Sequence, residues 1–139
     1  HPVIILTDHG SPLPSVTAVR NRLGPALDQL KPSTWRSVEV ASMERREGAE
    51  YDFNEPLLEN ALRTAAAAGA KEIVVAQQFL FPGRHAGPGG DIAEICRDFS
   101  TDHPQTKVET TEPIGESDQI LELLGRRLRQ AINRSSSIR

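Results

Sequence analysis

Cysteine, methionine and aromatic residues are nearly missing, since the 139 residues include one Cys, one Met, one Trp, one Tyr and four Phe. A lone Cys96 cannot pair within the chain, and no CxxC or zinc-ligand spacing occurs, which excludes a disulfide scaffold and points to a reducing compartment. Basic excess is also lacking. Sixteen Lys and Arg stand against 19 Asp and Glu, a net charge of −3, so nucleic acid is not an expected partner. No apolar run approaches the roughly 18 residues of a membrane span, and no signal-peptide pattern opens the chain, so a soluble protein without a membrane partner is expected. Neither a Walker loop nor a GxGxxG appears, which leaves nucleotide use without support. What the chain does have is enough length for one core, burying roughly 68% of its unfolded surface. A single domain is expected over residues 1–134, followed by a frayed tail from Ser135 to Arg139.

Apolar runs and helical patterns alternate four times along the chain. Val3–Leu6 is a β-branched strand that ends in Asp8-His9-Gly10-Ser11. Ser15 is positioned to cap a helix with Val16, Val19, Leu23, Ala26, Leu27 and Leu30 on its apolar stripe, and Gly24-Pro25 should kink it. Val38–Ala41 is a second strand, followed by the charged loop Glu44-Arg45-Arg46-Glu47. Asn54 is then expected to cap a helix with Pro56 in its first turn and Gly69 past its end. Ile73–Ala76 is apolar on consecutive residues, as strands covered on both faces are, and it continues through Phe81. The glycine-rich loop Pro82–Gly90 follows, and Asp91 with Glu94 gives a capping-box-like start to the helix carrying Ile92, Ile95, Cys96 and Phe99. Lys107–Thr111 is the last strand, and Ile120, Leu123, Leu124, Leu128 and Ala131 mark the last helix.

This alternation predicts an α/β fold, a four-stranded parallel sheet flanked by helices with right-handed crossovers. In the flavodoxin-like order 2-1-3-4, strands one and three are neighbours, and ligands bind outside the carboxyl ends of the strands where the winding reverses. The loops holding His9 and His85 meet at that point. A neutral imidazole ligates iron, cobalt or nickel and also accepts a proton, and both roles belong to metal insertion into a macrocycle that loses two pyrrole protons. The competing account of each histidine is local: His9 capping a turn, His85 bonding within its loop. Histidine phosphatases also place a His-Gly loop after a strand, but Asp8 occupies the position before His9, and its charge would repel a phosphate. Cys96 reads as a small core residue, and the Arg126-Arg127-Arg129 cluster as a solvated helix end. Glu44 is open between helping the histidines and pairing with Arg45 or Arg46. Trp35 is open between a dimer seam and a cover for the second strand.

Asp8-His9-Gly10-Ser11 after one strand and Phe79-Leu80-Phe81-Pro82-Gly83-Arg84-His85 after another resemble the short class II chelatases of the sirohydrochlorin chelatase family. Ala41-Ser42-Met43-Glu44, Asp91-Ile92 and Glu112-Pro113-Ile114-Gly115 extend the resemblance in order over nearly the whole chain. It implies a class II chelatase-like fold and ATP-independent insertion of Fe²⁺ or Co²⁺, with Ni²⁺ a further candidate, into a carboxylate-rich tetrapyrrole in siroheme or cobalamin biosynthesis. His9 and His85 are the implied metal-handling and proton-accepting pair, with Glu44 an acidic helper. Gly10, Ser11, Gly83 and Arg84 are the implied carboxylate-binding set, joined by Arg45 and Arg46. The resemblance also implies a homodimer with its sites in the intersubunit cleft, located in the cytoplasm, or in the plastid stroma if a transit peptide preceded His1. A non-catalytic relative that binds a tetrapyrrole or a metal is the alternative. The sequence departs from the family pattern at Ser42, in the link from Ala86 to Gly90 and in the longer loop from Glu47 to Asp52.

Overall fold

The β-branched runs form four strands in the computed structural model, which describes residues 1–30 and 33–136. They are β1 (Val3–Asp8), β2 (Ser37–Ser42), β3 (Glu72–Gln77) and β4 (Lys107–Thr110). All pairings are parallel and the order is β2-β1-β3-β4, the flavodoxin-like order expected. The helices are α1 (Pro14–Asp28), α2 (Leu58–Ala67), α3 (Asp91–Asp102) and α4 (Asp118–Ser136). Among the described residues no helix is long and apolar enough to cross a membrane.

Side chains alternate across the sheet, so Ile5, Ile73 and Val75 point to one face, where they are wholly buried against Leu58, Leu62 and Ile92 of α2 and α3. Cys96 and Phe99 complete this core. The other face carries Ile4, Leu6, Val74 and Ala76, and α1 packs over β1 and β2 there. Leu6 is buried, but Ile4, Val74 and Ala76 are covered only in part.

Several local expectations give way to tertiary packing. The apolar stripe of α1 was expected to face the core, yet Val16, Val19 and Leu23 are 48%, 38% and 41% exposed, and Thr17, Arg20 and Gly24 are the buried positions. A polar network described below takes the inward side. Leu13, not Ser15, precedes the helix, and Ser11 Oγ accepts the Leu13 amide. Pro25 is carried within α1. Asn54 does not cap α2: it ends a 3-10 turn over Ala49–Asn54, and Leu57 occupies the cap position after a cis Glu55–Pro56 bond. The Glu55 carboxylate accepts the Leu57 amide in place of the expected cap. Gly90 precedes α3, which frees the Asp91 carboxylate for another partner. β3 stops at Gln77, where its pairing with Thr7 ends, so Gln78–Phe81 form loop. Trp35 donates its indole N–H to Asp28 Oδ1 at 3.1 Å, which ties the chain after α1 to that helix. Ser135 and Ser136, expected to fray, close α4, and Ser137–Arg139 lie outside the described residues.

Burial pushes the Cys96 thiol up to about 12. The folded protein is therefore expected to react negligibly with a disulfide reagent at pH 8, and to release one equivalent of thiol in guanidinium. Because the unfolded thiol ionises nearer 9, this group favours the folded state below that pH, and its contribution declines as pH rises from there toward 12. Rapid native-state labelling would show that the site is open.

Candidate functional site

Parallel pairing aligns Thr7 with Gln77, so the loops leaving β1 and β3 emerge side by side. His9 and His85 meet there as expected, with ring centroids 4.7 Å apart and planes at 72°. Each imidazole has one nitrogen already engaged. His9 Nδ1 lies 3.0 Å from the Gly10 carbonyl oxygen, which can only accept, so Nδ1 carries the proton. In the neutral ring Nε2 is then a lone pair, and it faces Glu44 Oε1 at 3.2 Å. Two acceptors at that distance require a proton or another cation between them. His85 Nδ1 lies 2.6 Å from Asp91 Oδ2, which again leaves Nε2 as the free position. Glu44 therefore partners His9, while Arg45 pairs with Asp52 at 3.0 Å and Glu55 at 2.8 Å.

The loop holding His9 is fixed from below by a buried network. Arg20, wholly buried, donates through Nη1 to Asp8 Oδ1 at 3.4 Å, to the Ser42 hydroxyl and to the Asn54 carbonyl at 3.3 Å. Burial pulls the Arg20 guanidinium down from its ordinary value, and the Asp8 carboxylate opposes that pull. Asn54 accepts the Ser11 amide and the Thr17 hydroxyl, each at 2.9 Å, and donates to the carbonyls of Ser11 and Tyr51. Asp8 Oδ1 also accepts the Gly10 amide. Gly10 has φ +93°, and an added Cβ would overlap the carbonyl oxygen of Glu44. Only glycine fits there. The His85 loop is held by Gln77, whose side-chain oxygen accepts the Gly87 amide, and by the amides of Asp91 and Ile92, which bond the carbonyls of Arg84 and His85.

A cleft of about 320 Å³ opens beside His9, Ser11, Glu44 and Arg46. Arg84 is exposed, and neither it nor Arg46 forms a salt bridge among the described residues. Arg46 rests instead over the Tyr51 ring at 5.9 Å. The loop amides expected to bind carboxylates are not available for it. Those of Gly10, Ser11, Gly83 and Gly87 bond Asp8, Asn54, Ala86 and Gln77. Ser42 lies under the cleft, with no exposure. The sequence reading passed over Arg20, Asn54, Gln77 and Asp91 as site residues. An Asp six residues after a loop histidine, at a helix start, was the one legible signal among them.

The CbiX family profile matches residues 3–131. The chain belongs to the CbiX family. A relative, the chloroplastic sirohydrochlorin ferrochelatase of Arabidopsis thaliana, is 29% identical over 87 residues, which is 63% of this chain and 38% of the relative's length. A putative cobalamin (vitamin B12) biosynthesis CbiX protein from Marinobacter aquaeolei VT8 superposes with TM-score 0.73 at 21% identity, covering 96% of this chain and 99% of the other. SirB from Bacillus subtilis with Fe³⁺ superposes with TM-score 0.74 at 18% identity over 94% of this chain and 47% of SirB. The sirohydrochlorin chelatase SirB from Bacillus subtilis subspecies spizizenii in complex with cobalt gives TM-score 0.66 at 19% identity over 93% and 50%. These CbiX and SirB structures share the fold described above for this CbiX-family chain.

Arg20→Ala would leave Asp8 as an unpaired buried carboxylate under the His9 loop. The expected loss is about 3–5 kcal/mol of unfolding free energy, read as a fall in the urea midpoint. A midpoint equal to wild type would show that the network does not hold the loop.

Proposed function

We propose that this chain inserts a divalent metal, Fe²⁺ or Co²⁺, into sirohydrochlorin without a nucleotide. The observation carrying this reading is the pair of imidazoles that meet with ring centroids 4.7 Å apart, His85 with its Nε2 open and His9 with its Nε2 facing the Glu44 carboxylate. Family membership and the ferrochelatase name of the Arabidopsis relative support it. The SirB structures, one with Fe³⁺ and one in complex with cobalt, support iron or cobalt as the metal.

In the mechanism, the metal ion is substrate. The His9 Nε2 and the Glu44 carboxylate receive it, because a cation between them removes the repulsion of two facing acceptors. As the macrocycle nitrogens bind the metal, two pyrrole N–H bonds break and two protons leave. His85 Nε2 accepts one, and Asp91 stabilises the imidazolium that forms. The site released by the departing metal, between His9 and Glu44, accepts the other. The guanidiniums of Arg84 and Arg46 and the Ser11 hydroxyl hold the macrocycle carboxylates. The chain matches about half the length of each SirB structure, and a second copy in a homodimer would supply the opposite wall of the cleft.

The test is the absorbance of sirohydrochlorin with stoichiometric protein and Fe²⁺, Co²⁺ or Ni²⁺ in turn, against a control without protein. Insertion above control that disappears in a folded His85→Ala variant is expected. A spectral shift on binding with no faster insertion would favour the carrier alternative and overturn catalysis. Asp91→Ala, which frees the His85 ring without removing it, is expected to slow insertion about 10- to 100-fold. Wild-type turnover in that variant would refute the role given to Asp91.

A further inference from the structure

The loop joining β2 to α2 gives its two adjacent arginines different tasks. Arg45 is committed within the loop, to Asp52 at 3.0 Å, to Glu55 at 2.8 Å and to the Gly48 carbonyl at 3.0 Å. Arg46 is not. Glu44, Glu47 and Glu50 all stand within four residues of it in the chain, yet among the described residues it forms a salt bridge with none of them. Its guanidinium lies 5.9 Å from the centre of the Tyr51 ring, and its side chain lines the cleft that also holds His9, Ser11 and Glu44. An arginine resting on an aromatic face keeps its planar set of N–H donors for a ligand.

Tyr51 is itself held. Its amide bonds the Gly48 carbonyl at 3.1 Å, and its carbonyl accepts Asn54 Nδ2 at 3.1 Å. The same Asn54, wholly buried, bonds both the amide and the carbonyl of Ser11 at 2.9 Å. One buried side-chain amide thereby fixes the backbone of Ser11 relative to that of Tyr51. The Ser11 hydroxyl accepts the Leu13 amide at 3.0 Å, which leaves its own proton for another acceptor. Ser11 and Arg46 therefore bring uncommitted donors to one cleft, and a carboxylate is a group whose two oxygens can take both.

We propose that Tyr51 is a positioning residue: its ring holds Arg46 in the cleft, beside the Ser11 hydroxyl, as a point that takes one free carboxylate of the macrocycle. The inference deepens the chelatase reading and rests on it for the identity of the ligand. A peripheral carboxylate takes no part in the bonds that break and form during insertion. The contact is therefore equal in the bound substrate and in the transition state, and its loss raises KM while leaving kcat in place.

Metal-free sirohydrochlorin, titrated with protein and followed by its fluorescence, reads this point without turnover. Arg46→Gln should weaken binding about tenfold, and Tyr51→Leu about three- to fivefold. Tyr51→Phe keeps the ring and should restore wild-type binding. Adding Tyr51→Leu to Arg46→Gln should cost nothing further, because the ring acts through the guanidinium. Lys71→Gln removes an equal charge before β3, at the end of the sheet away from the histidines, and should leave binding unchanged. Arg46 is exposed, so Arg46→Gln reads the point in a folded chain even where Tyr51→Leu lowers the urea midpoint. Wild-type binding by Arg46→Gln, a Tyr51→Phe variant as weak as Tyr51→Leu, or additive losses in the double variant would each overturn the assignment. Insertion by Arg46→Gln at the wild-type KM would reject this point alone. Binding that depends on Arg46 and Tyr51 in a protein that inserts no metal would reject the chelatase reading alone.

Discussion

A buried guanidinium organises the end of the sheet where the chemistry is placed. Arg20 reaches Asp8 at the end of β1, Ser42 at the end of β2 and the backbone of Asn54 through a single nitrogen. Withdrawing such a charge from water is costly, and it is tolerated here because those oxygens surround it. The consequence for the site is positional. Asp8 immediately precedes His9 and also holds the Gly10 amide, so one ionic contact fixes where the loop starts and which way it turns. Asn54 continues the same network to Ser11, and through Tyr51 it locates the 3-10 turn whose Asp52 carboxylate pairs with Arg45.

The two histidine rings meet at 4.7 Å but differ chemically. His85 is half-buried, backed by a carboxylate, and seated on a loop closed by the first amides of α3. His9 is more exposed and looks across the cleft at Glu44. Under the proposed reaction, such an arrangement would suit handing the metal to another ligand, because neither imidazole is committed to a closed coordination shell. Among the described residues no three His, Cys, Asp or Glu side chains converge as a metal cage. Arg46 lines the cleft beside His9, and Arg84 is exposed next to His85 in the chain.

The fold and the meeting of His9 with His85 were legible because they depend on period and order. Four apolar runs alternating with helices define a parallel sheet, and its winding reversal places the first and third loops together whatever the local details. What escaped the sequence were positions where a polar side chain takes an inward place. The periodicity of Val16, Val19 and Leu23 reads as a core stripe, but helical spacing locates a face without saying what covers it. Arg20 and Asn54 look like a solvated base and a helix cap, since burial of a charge depends on partners 12 to 34 residues away in the chain. The loop glycines suggested free amides for anions, and that failed for a related reason. Side chains such as Gln77 and Asn54, distant in sequence, already occupy those donors.

The contact between Gly10 and the backbone of Glu44 couples two of the site's working groups more closely than their side chains suggest. The Glu44 amide bonds the His9 carbonyl, and the missing Cβ of Gly10 lets the two backbones touch, so imidazole and carboxylate ride on a common rigid base. Their spacing behaves like the gape of a caliper locked by its frame. Under the proposed reaction, discrimination among cations at that gap would depend on which atoms line it, and a lineage changing its preferred ion would do so by exchanging a side chain, not by shifting a loop.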